Sequence, residues 1–454
     1  MDLLGKSLLE LKQLVADKKI SEKEINEYFL KRIKKYNPQL NAYLTVNENS
    51  AHLPLAVKDN FCTKGLKTTA SSKVLDNFIP PYESTVTERL INNGFSVIGK
   101  TNMDAWAHGS STETSDYGPT KNPWDTNRSP GGSSGGSAAA VSAYLTPAAI
   151  GSETAGSIRQ PAAWSGVVGL KPTFGRVSRY GVIAMGSSFD CPGPLTTTVT
   201  DAAYLLGVIA GKDQFDATSS SIKAADYNQL LKNKNKYTIG ISDDYFDGVD
   251  EQTINKIEKS IEILKKLGHK IKKITLIHPK YDISIYTILQ RAEVSSNLSR
   301  YDGIRYGNER NEFGVEAKRR IMLGAYTLSY GYYDAYYKKA QKARTLIVND
   351  MKKAFSEVDF IVAPTAPITA LNLGEFEKYP FFGEVMDQLN EAAAVAGTPA
   401  INLPVGLDNN NLPVGMQIMG NYFEEEKILN LAYQFEKETD FFGVIKRGID
   451  NYKD

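Results

Sequence analysis

The chain has 454 residues, enough for one large α/β unit or about three smaller domains, and 53 Lys and Arg balance 52 Asp and Glu to a net charge of +1. That balance argues against a chain that grips nucleic acid by itself, because phosphate binding runs on clustered positive charge. Two cysteines exclude a disulfide scaffold and a Cys-rich zinc module. No segment is long and apolar enough to span a bilayer, so the expectation is a cytoplasmic, enzyme-sized protein.

In chain order, Leu8, Leu11 and Val15, then Ile25, Phe29 and Ile33, recur at helical spacing, with Ser21 as N-cap of the second helix. Leu53 to Val57 reads as a short strand ending at Lys58-Asp59-Asn60. Gly118 to Gly136 is polar and rich in Gly, Pro, Asn and Ser, and so reads as loop. Ser137 to Leu145 reads as a buried helix and Ala148 to Ile150 as a strand. Further on, α/β alternation returns. Strands are expected at Tyr237–Ile241, Ile271–Leu276 and Phe360–Ala363. An amphipathic helix on Ile254, Ile257, Ile261, Leu264 and Leu267 stops at Gly268. The Lys-rich run around Lys265–Lys273 reads as a solvated face, and His269 and His278 beside it as surface histidines. With no composition break, residues 1–454 read as one domain, with core motifs in 53–200 and a substrate-specificity and C-terminal part in 235–440.

The segment Gly131-Gly132-Ser133-Ser134-Gly135-Gly136-Ser137 carries the most chemical information, and Ser157 follows Ser133 by 24 positions. It is no nucleotide P-loop, because no Lys-Ser or Lys-Thr follows the glycines. It satisfies G-x-S-x-G, but the residues before it, Asn122 to Pro130, are not a strand, which a nucleophile elbow requires. A serine nucleophile without histidine needs another base. Lysine serves when its amine is neutral. Lys58, at the end of an apolar strand, is the candidate; taken alone, it reads as a surface charge, and only the combination with the two serine segments overturns that.

Lys58 in its context, the serine-glycine segment 131–137, and Thr154-Ala155-Gly156-Ser157-Ile158-Arg159-Gln160-Pro161 together resemble the amidase signature family in order and spacing. The resemblance implies an α/β amidase signature fold, a mixed central β-sheet surrounded by helices. It implies a Ser–cis-Ser–Lys triad with Ser157 as nucleophile, Ser133 as bridging serine on a cis peptide, and Lys58 as base. The N–H groups of Thr154, Ala155, Gly156 and Ser157 would form the oxyanion hole.

Further segments, among them Ser295–Gly303, Lys318–Ile321 and Gly331–Lys339, are similar to the glutaminase subunits of tRNA-dependent amidotransferases. What this implies is glutamine hydrolysis on this chain, with the ammonia passed to a B subunit that amidates Glu-tRNA(Gln), and a C subunit as bridge. The tRNA would be held mainly by the partner, ATP and Mg2+ would be needed by the assembled complex, and no cofactor or metal by this chain. Arg320 would hold the glutamine carboxylate and Asp387 its ammonium, with Tyr286 a further candidate for substrate contact. The alternative is a stand-alone amidase acting on a small or aryl amide. The sequence departs from the group's pattern in Glu153-Thr154-Ala155-Gly156, usually Asp-Thr-Gly-Gly, and in Gln290-Arg291, usually a small residue and proline.

Overall fold

The computed structural model describes residues 2–453, the side chains at 381, 382, 441 and 442 apart. Two helices open the chain, Leu8–Ala16 and Glu22–Leu40, each with a reciprocal capping box. Ser21 accepts the Glu24 N–H and the Glu24 carboxylate returns to the Ser21 N–H, satisfying two donors that a helix start leaves open.

Eleven strands among the described residues form one mixed sheet. They are β1 (Tyr43–Val46), β2 (Leu53–Lys58), β3 (Phe95–Thr101), β4 (Ala148–Glu153), β5 (Val168–Lys171), β6 (Cys191–Thr196), β7 (Thr238–Ile241), β8 (Lys270–Lys273), β9 (Phe360–Pro364), β10 (Ala400–Leu407) and β11 (Pro413–Gly420). Their order is β1-β3-β2-β4-β6-β5-β10-β11-β9-β7-β8. β2 runs parallel to both β3 and β4, and β7 parallel to both β8 and β9; the remaining pairs are antiparallel. The β5–β10 pairing, with Leu170 opposite Ile401, ties the segment that carries the serine motifs to the later part of the chain. Strands in the middle of the sheet are buried on both faces and read as near-continuous apolar runs, as β2 and β4 do.

Several boundaries differ from the sequence reading. The helix expected at 137–145 spans Gly135–Ser142, and the chain then turns through Tyr144 at φ 53. Gly135 and Gly136 lie in its first turn, where there is no room for a side chain: a Cβ on Gly136 would meet the Asn102 nitrogen at 2.6 Å. The strand expected at 271–276 is the shorter β8, an edge strand whose Lys272 and Lys273 pair with Glu357 and Asp243 at 2.9 Å each; the run is a solvated face, as expected. His269 is not at the surface. The turn at Gly268 (φ +88) folds it inward, where its ring stacks on Tyr237 and Nδ1 accepts the Tyr237 N–H at 3.3 Å. His278 is more exposed and pairs with Asp247 at 3.0 Å.

Candidate active site

Because β2 and β4 are parallel neighbours, their carboxyl ends open on the same side of the sheet, the usual location of a site in an α/β fold. β2 delivers Lys58 there, fully buried. Its Nζ donates to Ser133 Oγ at 2.7 Å and to the Ser152 carbonyl at 3.0 Å. Burial pulls the Lys58 pKa down to about 7, against the opposing influence of Asp104, Asp190 and Glu153. Near neutral pH this amine therefore exists in substantial part as the free base.

Ser133 follows a cis Gly132–Ser133 peptide. Only glycine fits at 132, since a Cβ there would lie 2.0 Å from Asp104 Oδ2 and 2.6 Å from the Ser111 nitrogen. The Gly132 N–H donates to Gln160 Oε1 at 3.0 Å, and the Ser134 N–H to the Ser157 carbonyl at 3.1 Å. These bonds fasten the Ser133 loop to the Ser157 loop. No hydrogen bond engages the Ser157 hydroxyl among the described residues.

β4 ends at Glu153, and residues 154–157 lead into the helix Arg159–Ser165. None of the four N–H groups from Thr154 to Ser157 has an acceptor among the described residues, whereas the next two, at Ile158 and Arg159, both donate to Glu153 Oε2 at 3.1 Å. Glu153 also pairs with Arg159 at 2.5 Å with both side chains fully buried. The longer glutamate, found where aspartate is usual, thus spans from the helix start to Arg159. Ala155 keeps an ordinary negative φ, so its replacement of glycine leaves no left-handed residue in the loop. Asp190 holds the loop from the other side, accepting the Thr154 hydroxyl at 2.7 Å and the Met185 N–H at 2.9 Å; burial raises its pKa to about 6.

Of the three residues expected to meet substrate, Asp387 and Tyr286 lie beside this loop. Asp387 approaches so closely that a Cβ on Gly156 would lie 2.3 Å from its Oδ1. That oxygen is buried without a hydrogen-bond partner, and burial, then Glu153 and Glu384, push the carboxyl well above its ordinary pKa. Tyr286 shares an apolar cluster with Ala155 and packs edge-on against Phe189 with ring centroids 5.6 Å apart. Arg320 is buried, not a surface charge, and it already has partners: Nε donates to Glu316 at 2.6 Å and Nη2 to Glu384. Arg291, the residue in place of the usual proline, donates to the other Glu384 oxygen at 2.9 Å.

Sequence reasoning did not single out Asp104, Asp190, Glu384 or Glu391. Each is a buried carboxylate, and none sits in a recognisable local motif. Both Glu391 oxygens are unpartnered, and burial followed by Asp387 raises its pKa well above the ordinary value. His108 is buried with neither ring nitrogen bonded; burial, then Arg320 and Arg291, hold its pKa well below the usual range.

The amidase family model matches residues 24–429. The chain belongs to the amidase family. It is 47% identical to the A subunit of the glutamyl-tRNA(Gln) amidotransferase of Thermodesulfovibrio yellowstonii, over 97% of this chain and 98% of that one. The crystal structure of the corresponding A subunit from Thermotoga maritima superimposes with a TM-score of 0.85 at 40% identity, covering 95% of each chain. The peptide amidase from Stenotrophomonas maltophilia gives 0.82 at 28% identity, over 96% and 97% of the two chains. The amidase fold expected from the motifs, a mixed sheet wrapped by helices, is thus the fold observed. Among the described residues no helix is long and apolar enough to cross a membrane.

Proposed function

We propose that this chain is the glutaminase subunit of a tRNA-dependent amidotransferase, hydrolysing glutamine at Ser157 and supplying ammonia to a partner subunit. The observation that carries the reading is the Lys58–Ser133 bond of 2.7 Å, made by an amine that titrates near 7, beside a loop offering four unengaged N–H groups. The full-length likeness to the A subunits of such amidotransferases supports the substrate class.

In this reading the Ser157 oxygen attacks the glutamine δ-carbon. Its proton passes through the Ser133 hydroxyl to the free amine of Lys58. The oxyanion forms against the N–H groups of 154–157, where a lost donor typically costs about 3 kcal/mol. The C–N bond breaks, the proton returns through Ser133 to the leaving nitrogen, and ammonia departs. Water then attacks the Ser157 ester by the same proton route, releasing glutamate and restoring the hydroxyl.

Asp387 supplies the negative partner for the substrate ammonium, and an arriving cation lowers its raised pKa. Arg320 takes the α-carboxylate, and Tyr286 lines the space between. In the cytoplasm a B subunit uses the ammonia with ATP and Mg2+ to convert Glu-tRNA(Gln) to Gln-tRNA(Gln), and a C subunit completes the heterotrimer. Covalent labelling tests the assignment. A glutamine analogue with an electrophilic δ-carbon should modify Ser157 and no other residue, and free glutamine should protect it. Labelling elsewhere, or none, would overturn it.

A further inference from the structure

Arg320 and Arg291 share one internal carboxylate. Both Glu384 oxygens are engaged, one by Arg320 Nη2 and the other by Arg291 Nη2 at 2.9 Å. The helices that carry the arginines, Lys280–Leu298 and Val315–Leu328, approach until a Cβ on Gly324 would overlap the Arg291 carbonyl, and this fixes the two guanidinium groups around a common point. Glu384 and Asp387 lie on one 3-10 segment, Pro380–Asn390, three residues apart. Such residues eclipse, so one face of that segment carries Glu384 toward the arginines and Asp387 toward Gly156.

With Glu316 on Nε, Arg320 thus meets two carboxylates of its own protein. Its Nη1 holds no hydrogen bond among the described residues, so a substrate carboxylate that takes the two-pronged Nη1–Nη2 edge has to displace Glu384 from Nη2. Burial raises the Glu384 pKa, but Arg320 and then Arg291 outweigh it and keep the group ionised. Arg291 gives the displaced carboxylate a place to stay: Glu384 can release Arg320 through one oxygen while the other remains bonded.

We propose that Glu384 is a specificity-determining residue which competes with the substrate α-carboxylate for Arg320, and that Arg291 retains it during the exchange. The inference rests on the glutaminase reading and names residues that set its selectivity. Amides lacking an α-carboxylate do not have to displace Glu384, so the effect is confined to carboxylate-bearing substrates.

The test measures ammonia release from glutamine and from glutaminamide by the chain co-purified with its B and C subunits. Glu384→Gln weakens the competitor from a charged to a neutral acceptor and should lower the glutamine KM about tenfold, with little change for glutaminamide. Arg291→Met leaves Glu384 on Arg320 alone and should raise the glutamine KM, again sparing glutaminamide. The paired opposite shifts, carried by KM rather than kcat, distinguish competition from a structural role. A glutamine KM unchanged or raised in Glu384→Gln, or equal shifts for both substrates, would overturn the proposal. Should that variant fail to fold, an unchanged or lowered glutamine KM in Arg291→Met would do the same. Wild-type complex that releases no ammonia from glutamine would overturn the glutaminase reading and this inference together.

Discussion

Replacing Lys58 by methionine should abolish amide hydrolysis and, at neutral pH, make the protein more stable. Lys58 has an ordinary pKa of 10.5 and titrates at about 7 in the fold. The folded state therefore binds fewer protons than the unfolded chain between those values. The penalty is fully present below pH 7 and disappears as pH rises past 10.5. At pH 7 it is about 4 kcal/mol, and at pH 10 less than about 1 kcal/mol. Methionine is unbranched and of similar volume, so the substitution removes this penalty with little repacking. It also loses the bonds to Ser133 Oγ (2.7 Å) and the Ser152 carbonyl (3.0 Å), worth about 1 kcal/mol each. The variant should gain about 2 kcal/mol at pH 7 and lose about 1 kcal/mol at pH 10. Urea-unfolding midpoints of the two proteins at both pH values read this directly, because groups distant from residue 58 cancel in the comparison. A stability difference that is the same at pH 7 and pH 10 would refute the claim that burial depresses the Lys58 pKa.

In the assembled complex, Ser157→Ala should eliminate glutamine-dependent amidation while leaving amidation from free ammonia intact; loss of both would give Ser157 a structural role. Asp387→Asn should raise the glutamine KM by roughly tenfold or more through loss of the ammonium partner, and do little to an aryl amide without an ammonium, as initial-rate assays on both substrates would show. Glu153→Gln strands Arg159 in a fully buried site and should destabilise the fold by about 3–5 kcal/mol, measured by denaturant unfolding.

The sequence made legible what is local. Apolar spacing marked β2 and so delivered Lys58; Ser21 marked the N-cap of the second helix; and the glycine-serine run marked the loop that holds Ser133. What it did not reveal depends on distant contacts. Glu384 lies 64 residues from Arg320 and 93 from Arg291, so no local pattern could pair them. Asp190 meets Thr154 across 36 residues by way of the β4–β6 pairing. His269 looked like a surface residue because its neighbours are lysines, yet the turn at Gly268 reverses its side chain into the core. The departures at Glu153 and Arg291 were visible as letters. Their meaning came only with the partners, Arg159 for one and Glu384 for the other.

The most direct test of the central claim is ammonia release from glutamine, asparagine and an aryl amide by the chain co-purified with its B and C subunits. The account predicts release from glutamine, increased by Glu-tRNA(Gln) and ATP, and little from the other two. Broad turnover of all three amides, indifferent to tRNA and to the partner subunits, would contradict it and make this a free-standing amidase.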